Sequence, residues 1–317
     1  MFKYSVILLL SLISYSQNKM KIPPYLKKGD TVAIVCTARK FFPEEAKPAI
    51  DLLESWGLKV KLGKTIGLDS CQLGGTDTER AADFQDQLDN ENVKAIWCAR
   101  GGYGTVRIID MIDFSKFKKH PKWVMGFSDV TVLHSHINTL NVATLHSIMP
   151  FTVPKAPEDV KLTFKNALFG IKNSYTIPSK PFDKKGMAKG ELVGGNLSIL
   201  YSLLGSKSSI ETKDKILFIE DLDEYLYHID RMLYNMKRNG YFKNVKGIIV
   251  GSMRDMHDNE IPFGQNEVQI ITEIAKDLNI PIAFEFCAGH QKDNRTLVLG
   301  SQVTFEVNDT EIKLTFE

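Results

Sequence analysis

From Thr31 onward, short apolar runs alternate with amphipathic stretches: TVAIVC, PEEAKPAIDLLESWG, KVKLG, TDTERAADFQDQL and VKAIWC. Strand, helix, strand, helix, strand is the pattern of a parallel sheet with crossover helices on its faces. Thr76 followed by Glu79 forms a capping box that starts the second helix, and Gly57 stops the first as the residue just past its end. The rhythm continues through a helix at 105–112, a strand at 123–126, a helix at 129–140 and a strand at 142–146. Residues 22–150 are therefore expected to form an N-terminal, doubly wound domain with a mostly parallel sheet.

Pro150, Pro154, Pro157, Pro178 and Pro181 then punctuate a Lys-rich stretch with one short helical segment, DVKLTFKNALFG, and 151–189 reads as a linker. Beyond it, 190–317 reads as a second α/β domain. GELVGGNLSILYSLLG suggests a glycine turn opening a helix, KILFIE a buried strand, and EYLYHIDRMLYNMKRNG an amphipathic helix stopped by Gly240. KGIIVG, EVQIITEIAKDL and PIAFEF continue the alternation, and a hairpin turning at Asn308-Asp309 supplies an antiparallel end. A chain of 317 residues has room for two such cores.

With 43% hydrophobic and 25% charged residues, neither a disordered nor a collagen-like chain is credible. Lys+Arg 40 against Asp+Glu 38, with no long basic block, lacks the footprint of a nucleic-acid binder. Residues 1–16 place Lys3 ahead of the apolar run Val6–Ile13 and the small residues Ser14 and Ser16, which is the shape of a secretory signal peptide. The run is shorter than the ~20 residues of a membrane span. The mature protein is thus expected to be exported to the periplasm, with no stable membrane insertion after cleavage. Cys36, Cys71, Cys98 and Cys287 lack CxxC spacing and do not make a disulfide framework, although a single bridge between two of them is left open.

Ligands of open parallel sheets bind outside the carboxyl ends of the strands. After VKAIWC comes Ala99-Arg100-Gly101-Gly102-Tyr103-Gly104, which reads either as a tight turn or as a loop whose N–H groups approach an oxyanion. After strand 123–126 comes Gly126-Phe127-Ser128-Asp129, where Ser128 is either a helix cap or an exposed nucleophile; Val130 breaks the G-x-S-x-G pattern. Glu220 closes KILFIE and needs a partner such as an imidazole, while Asp223 and Glu224 are explained by the first turn of a helix. His290 lies in the polar loop FCAGHQKDN. His134 and His136, two apart on a helix, do not make a metal pair, and His146 reads as a hydrogen-bonded structural histidine or a cleft residue. An exported two-domain chain also fits a non-catalytic solute-binding protein, with Ser128 as a cap and Glu220 in a salt bridge.

The segments GDTVAIVC, ARGGYGTVRIID, MGFSDVTVLH, ELVGGNLSIL, FIEDLDEYLYHIDRMLYNM and AGHQKDN, in this order over 25–300, resemble the LD-carboxypeptidase family of serine peptidases, which includes muramoyltetrapeptide carboxypeptidases and microcin C self-immunity peptidases. The resemblance implies Ser128 as nucleophile, Glu220 as orienting carboxylate and His290 as base, without metal or cofactor. It implies an oxyanion met by the N–H of Asp129 and by one in the Gly101-Gly102 turn, with Arg100 beside the substrate carboxylate unless a surface salt bridge claims it. The implied substrate is a peptidoglycan-derived tetrapeptide that loses a terminal D-Ala, or a microcin-like peptide-nucleotide amide. A homodimer is left open. Departures from the family pattern are Cys36-Thr37 for Ala-Pro and Ser-Ile-Met for Gly-Pro-Met after His146.

Overall fold

The computed structural model describes residues 20–317, so the expected signal peptide at 1–16 lies outside the described residues. Among the described residues, thirteen strands form two sheets. They are β1 Thr31–Val35, β2 Lys59–Leu62, β3 Val93–Cys98, β4 Trp123–Gly126, β5 Thr144–His146, β6 Ser174–Pro178, β7 Gly186–Asn196, β8 Ile216–Leu222, β9 Gly247–Arg254, β10 Ile282–Ala283, β11 Leu297–Leu299, β12 Gln302–Val307 and β13 Glu311–Phe316.

The first sheet runs β11-β5-β4-β3-β1-β2, parallel except for β11. Both faces are covered. Val32, Ile34, Trp97 and Met125 bury one side while Ala33, Val35, Ile96 and Val124 bury the other, which is why β1 and β3 read as continuous apolar runs instead of alternating ones. The second sheet runs β10-β9-β8-β7-β12-β13-β6, with β7 to β10 parallel and the last three strands antiparallel. The fold class is thus the α/β architecture expected, with the antiparallel end supplied by the β12–β13 hairpin and β6.

Three expectations need correction. Residues 151–189 are no linker: a helix Glu158–Leu168 buries Val160, Phe164 and Leu168 on the first core, and β6 and β7 begin there. Two of its prolines mark element boundaries: Pro157 is the residue just before the helix and Pro178 closes β6. The domain at 22–150 is likewise not self-contained, because β11 returns from the far end of the chain to pair with β5. Lastly, Gly194-Gly195-Asn196 ends a long strand, and the short helix Leu197–Ser202 opens only after it.

The capping box at Thr76 and Glu79 is present, and Gly57 and Gly240 follow their helices with positive φ. All four cysteines are free. Burial pushes the Cys36, Cys98 and Cys287 thiols up to about 12, so they behave as small apolar residues.

The helix Thr131–Thr139 of the first domain packs against β7, and Thr131 Oγ1 accepts a hydrogen bond from Asn196 N at 3.0 Å. This contact brings the carboxyl ends of β3, β4 and β8 to one cleft.

Candidate active site

β4 ends at Gly126, and the chain turns sharply into a 3-10 turn at Ser128–Val130 before the helix. Ser128 has φ +63° and its side chain caps nothing. An L-residue in that left-handed region is strained, and such a turn lifts its side chain clear of the sheet edge. The reading of Ser128 as a helix cap is therefore set aside; Phe127 occupies the cap position.

Ser128 Oγ lies 3.1 Å from His290 Nε2, and His290 Nδ1 lies 2.6 Å from Glu220 Oε2. The His290 backbone N–H also donates to Oε2, at 3.3 Å. With the carboxylate on Nδ1, the imidazole carries its proton there and leaves Nε2 free to accept from the serine hydroxyl. Two loop contacts hold the histidine in place: Gly289 N donates to Asn294 Oδ1 (2.8 Å) and Ser252 N to Ala288 O (3.0 Å). Gly289 has φ +104°, and a Cβ there would stand 2.8 Å from Glu220 Oε2, so only glycine lets the loop close on the carboxylate.

Glu220 is fully buried at the end of β8. Burial alone would raise its carboxyl, but the charge of His290 and its hydrogen bond hold it below the usual carboxylate value. The same balance works in reverse on His290, where burial pulls the imidazole down and the Glu220 charge and hydrogen bond carry it above its usual value.

The glycine loop follows β3. At Gly101 a Cβ would lie 3.1 Å from Ser128 Cβ and 3.5 Å from Asp129 N, so the missing side chain leaves the space beside Ser128 open. Gly102 packs against the Arg39 side chain. Asp129 presents its N–H in the first turn of the helical segment, where no intrahelical acceptor exists. Its side chain is buried and accepts from Thr105 N at 2.9 Å, and burial raises its pKa. The guanidinium of Arg100 lies 4.0 Å from the centre of the Phe151 ring and makes no ion pair among the described residues, so the surface salt bridge is not formed.

These groups line a cleft of about 500 Å³ between the domains. Every expected site residue faces it except Glu220, which supports it from below. Sequence reasoning missed Arg39 and Asn196, which also line it. Arg39 lies just past β1, where the strand-end rule applied to β3 and β4 would have found it, and Asn196 stood in a motif already singled out. Asp221 accepts from Asn196 Nδ2 and Ser198 N, both at 2.9 Å, while burial and the adjacent Glu220 push its carboxyl up to about 7. Asp223 and Glu224 line the cleft and pair with His257 and His228, each at 2.5 Å. His134 bonds Gly126 O and His136 bonds Ser208, in separate directions. His146 is fully buried and outside the cleft, and neither of its ring nitrogens has a hydrogen-bond partner among the described residues. Among the described residues no cluster of His, Cys, Asp and Glu is suited to a metal, and no helix is long and apolar enough to cross a membrane.

A serine in a strained strand-to-helix turn, joined to an imidazole and a buried carboxylate at strand ends of two α/β domains, is the arrangement of a serine hydrolase. The chain belongs to the LD-carboxypeptidase family: residues 32–147 match its N-terminal domain and 189–305 its C-terminal domain. It is 38% identical to a probable murein peptide carboxypeptidase of Bacillus subtilis, over 88% of this chain and 90% of that one. It is 25% identical to the microcin C7 self-immunity protein MccF of Escherichia coli, over 92% and 94%. The crystal structure of muramoyltetrapeptide carboxypeptidase from Oxalobacter formigenes superposes with a TM-score of 0.82 at 25% identity, over 90% of this chain and 98% of that one. The protein is thus a serine carboxypeptidase of the murein peptide carboxypeptidase family, and the non-catalytic solute-binding reading falls away.

Proposed function

We propose that the enzyme releases the terminal D-Ala from peptidoglycan tetrapeptide stems, with Ser128, His290 and Glu220 as its catalytic triad. The observation that carries the proposal is the continuous contact from Ser128 Oγ through His290 to Glu220, at 3.1 and 2.6 Å. His290 Nε2 takes the hydroxyl proton as Oγ attacks the carbonyl carbon. Glu220 holds the imidazole in the productive tautomer and stabilises its charged form. The N–H of Asp129 and one from the Gly101-Gly102 turn receive the oxyanion, and donors of this kind are typically worth a factor of about 100 to 1,000 in turnover. His290 returns the proton to the leaving D-Ala nitrogen. It then activates water, which splits the acyl-enzyme and restores the serine. Arg100 and Arg39 are the cations lining the cleft, suited to the free carboxylate beside the scissile bond. The signal-like residues 1–16 support export to the periplasm, where such stems occur.

The similarity to MccF supports a second substrate, a peptide-nucleotide amide cleaved by the same serine. Purified protein offered both substrates should release D-Ala from the tetrapeptide, and Ser128→Ala should release none. Cleavage of the nucleotide amide alone would replace the first reading with the second. Undiminished turnover by a folded Ser128→Ala protein would end both.

A further inference from the structure

His146 closes β5 behind the triad and has no part in the mechanism above. It is fully buried, and neither ring nitrogen has a hydrogen-bond partner among the described residues; Glu220 Oε1, also fully buried, has none either. Buried polar atoms in native proteins are nearly always paired, and one lone pair of an ionised carboxylate facing nothing is among the costliest exceptions. These orphaned atoms belong to neighbouring groups. The His146 ring stands edge-on to Phe218, with centroids 5.0 Å apart. Phe218 lies two residues before Glu220 on β8, so the two side chains point to the same face of that strand. On its other side His146 meets Phe127, 5.8 Å away, whose ring is itself 4.9 Å from His290.

Two other polar groups neighbour Glu220: the Asn196 amide, which also favours its charged form, and Ser252 Oγ, which likewise lacks a partner among the described residues. The Asn196 amide donates to Asp221 Oδ1. Ser252 Oγ lies on the Gly289 side, the side on which Oε2 meets that loop. Burial pushes the His146 imidazole down to about 4, so it is neutral and carries one N–H and one acceptor nitrogen. A space-filling role at this position would be served as well by phenylalanine or leucine, without burying two unpaired nitrogens.

We infer that His146 is a positioning residue: its neutral imidazole gives an N–H to Glu220 Oε1, after a small side-chain adjustment or through one bridging water, and so keeps Oε2 turned to His290. The inference rests on Glu220 being the orienting carboxylate of the triad. A single water with two or more polar partners is an ordinary buried bridge. His146 then acts on the reaction only through Glu220 and touches no substrate.

The test compares wild type, Ser128→Ala, His146→Phe and His146→Gln on a tetrapeptide ending in D-Ala, with melting temperature measured for each. His146→Phe keeps the ring volume but no donor. It should melt close to wild type, change KM less than about twofold, and lose about 10- to 100-fold in kcat, a scale borrowed from the loss of groups that orient metal-binding side chains. His146→Gln retains an N–H donor and should recover most of that loss. Should His146→Phe fail to fold, His146→Leu serves as the donor-free variant. Full kcat in the donor-free variant, or Gln and Phe variants equally impaired in step with their melting temperatures, would overturn the inference. The triad is tested separately by Ser128→Ala: an inactive Ser128→Ala beside a fully active His146→Phe defeats only the role of His146, whereas an active Ser128→Ala defeats the triad itself.

Discussion

At Ser128 a single backbone angle decides against a helix-capping role. At φ +63° the residue pays the steric penalty of the left-handed region, roughly 1–2 kcal/mol for a residue with a Cβ. Ser128→Gly should relieve that strain, offset in part by the extra freedom glycine has when unfolded, for a net gain of about 0.5–1 kcal/mol together with loss of hydrolysis. Urea denaturation reads this, and a lowered midpoint would show an unstrained turn. Glu220 supports a prediction on pH. Because Glu220 raises the His290 pKa, kcat/KM should decline as pH falls through a value above the ordinary imidazole value of 6.5. Glu220→Gln removes that charge, so the acid limb should move to lower pH. Turnover on the plateau should drop by about 10⁴, the scale known when a triad carboxylate becomes an amide, with kcat changing far more than KM. An acid limb unmoved in Glu220→Gln would detach the carboxylate from the base.

Among the elements, the helix Asp77–Asp89 does more than cover the sheet. Its fully buried Arg80 donates to the carbonyls of Thr37 (2.5 Å), Gly104 (2.9 Å) and Gly75 (3.3 Å) and pairs with Asp77. It thereby ties together the segments that follow β1 and β3, which carry Arg39 and Arg100 to Gly102. Asp77 is shared with Arg107, whose hydrogen bond leads the interactions that hold its carboxyl below the usual value. Arg80→Met would strand these carbonyls and should cost about 3–5 kcal/mol, measurable by chemical denaturation. A loss below 1 kcal/mol would mean that the loops hold themselves. In the sequence, Arg80 reads as part of the polar face of an amphipathic helix. Its burial depends on where two distant loops come to lie, which helical periodicity does not encode.

Across the whole molecule, the first sheet is completed from outside its own stretch of chain. Phe164, on the segment that composition marked as a linker, packs on Trp97 with ring centroids 5.0 Å apart, and β11 covers the edge of β5. Phe164→Ala should cost about 3–5 kcal/mol through the cavity it leaves. A fragment spanning 20–150 should fail to fold, because it exposes both the face under the helix Glu158–Leu168 and the strand edge. Circular dichroism and tryptophan fluorescence would show this, and a cooperatively melting fragment would prove the domain self-contained.

Local sequence determined the elements and the residue types at their ends. The alternation of β1 through β3, the capping box at Thr76 and the stops at Gly57 and Gly240 are short-range effects of side-chain periodicity and backbone freedom, so they could be read directly. Motifs at strand ends marked Ser128, Glu220 and His290 as candidates for the same reason. Only the tertiary structure decided that they meet, since Ser128 and His290 are 162 residues apart and Glu220 and His290 are 70 apart. Proline-rich composition misled at 151–189 because proline marks the start of a helix as readily as the end of a domain. Strand order, the return of β11, the burial of Arg80 and the orphaned nitrogens of His146 all arise from packing between distant segments, whose free energy depends on the surface each finds and not on its neighbours in the chain.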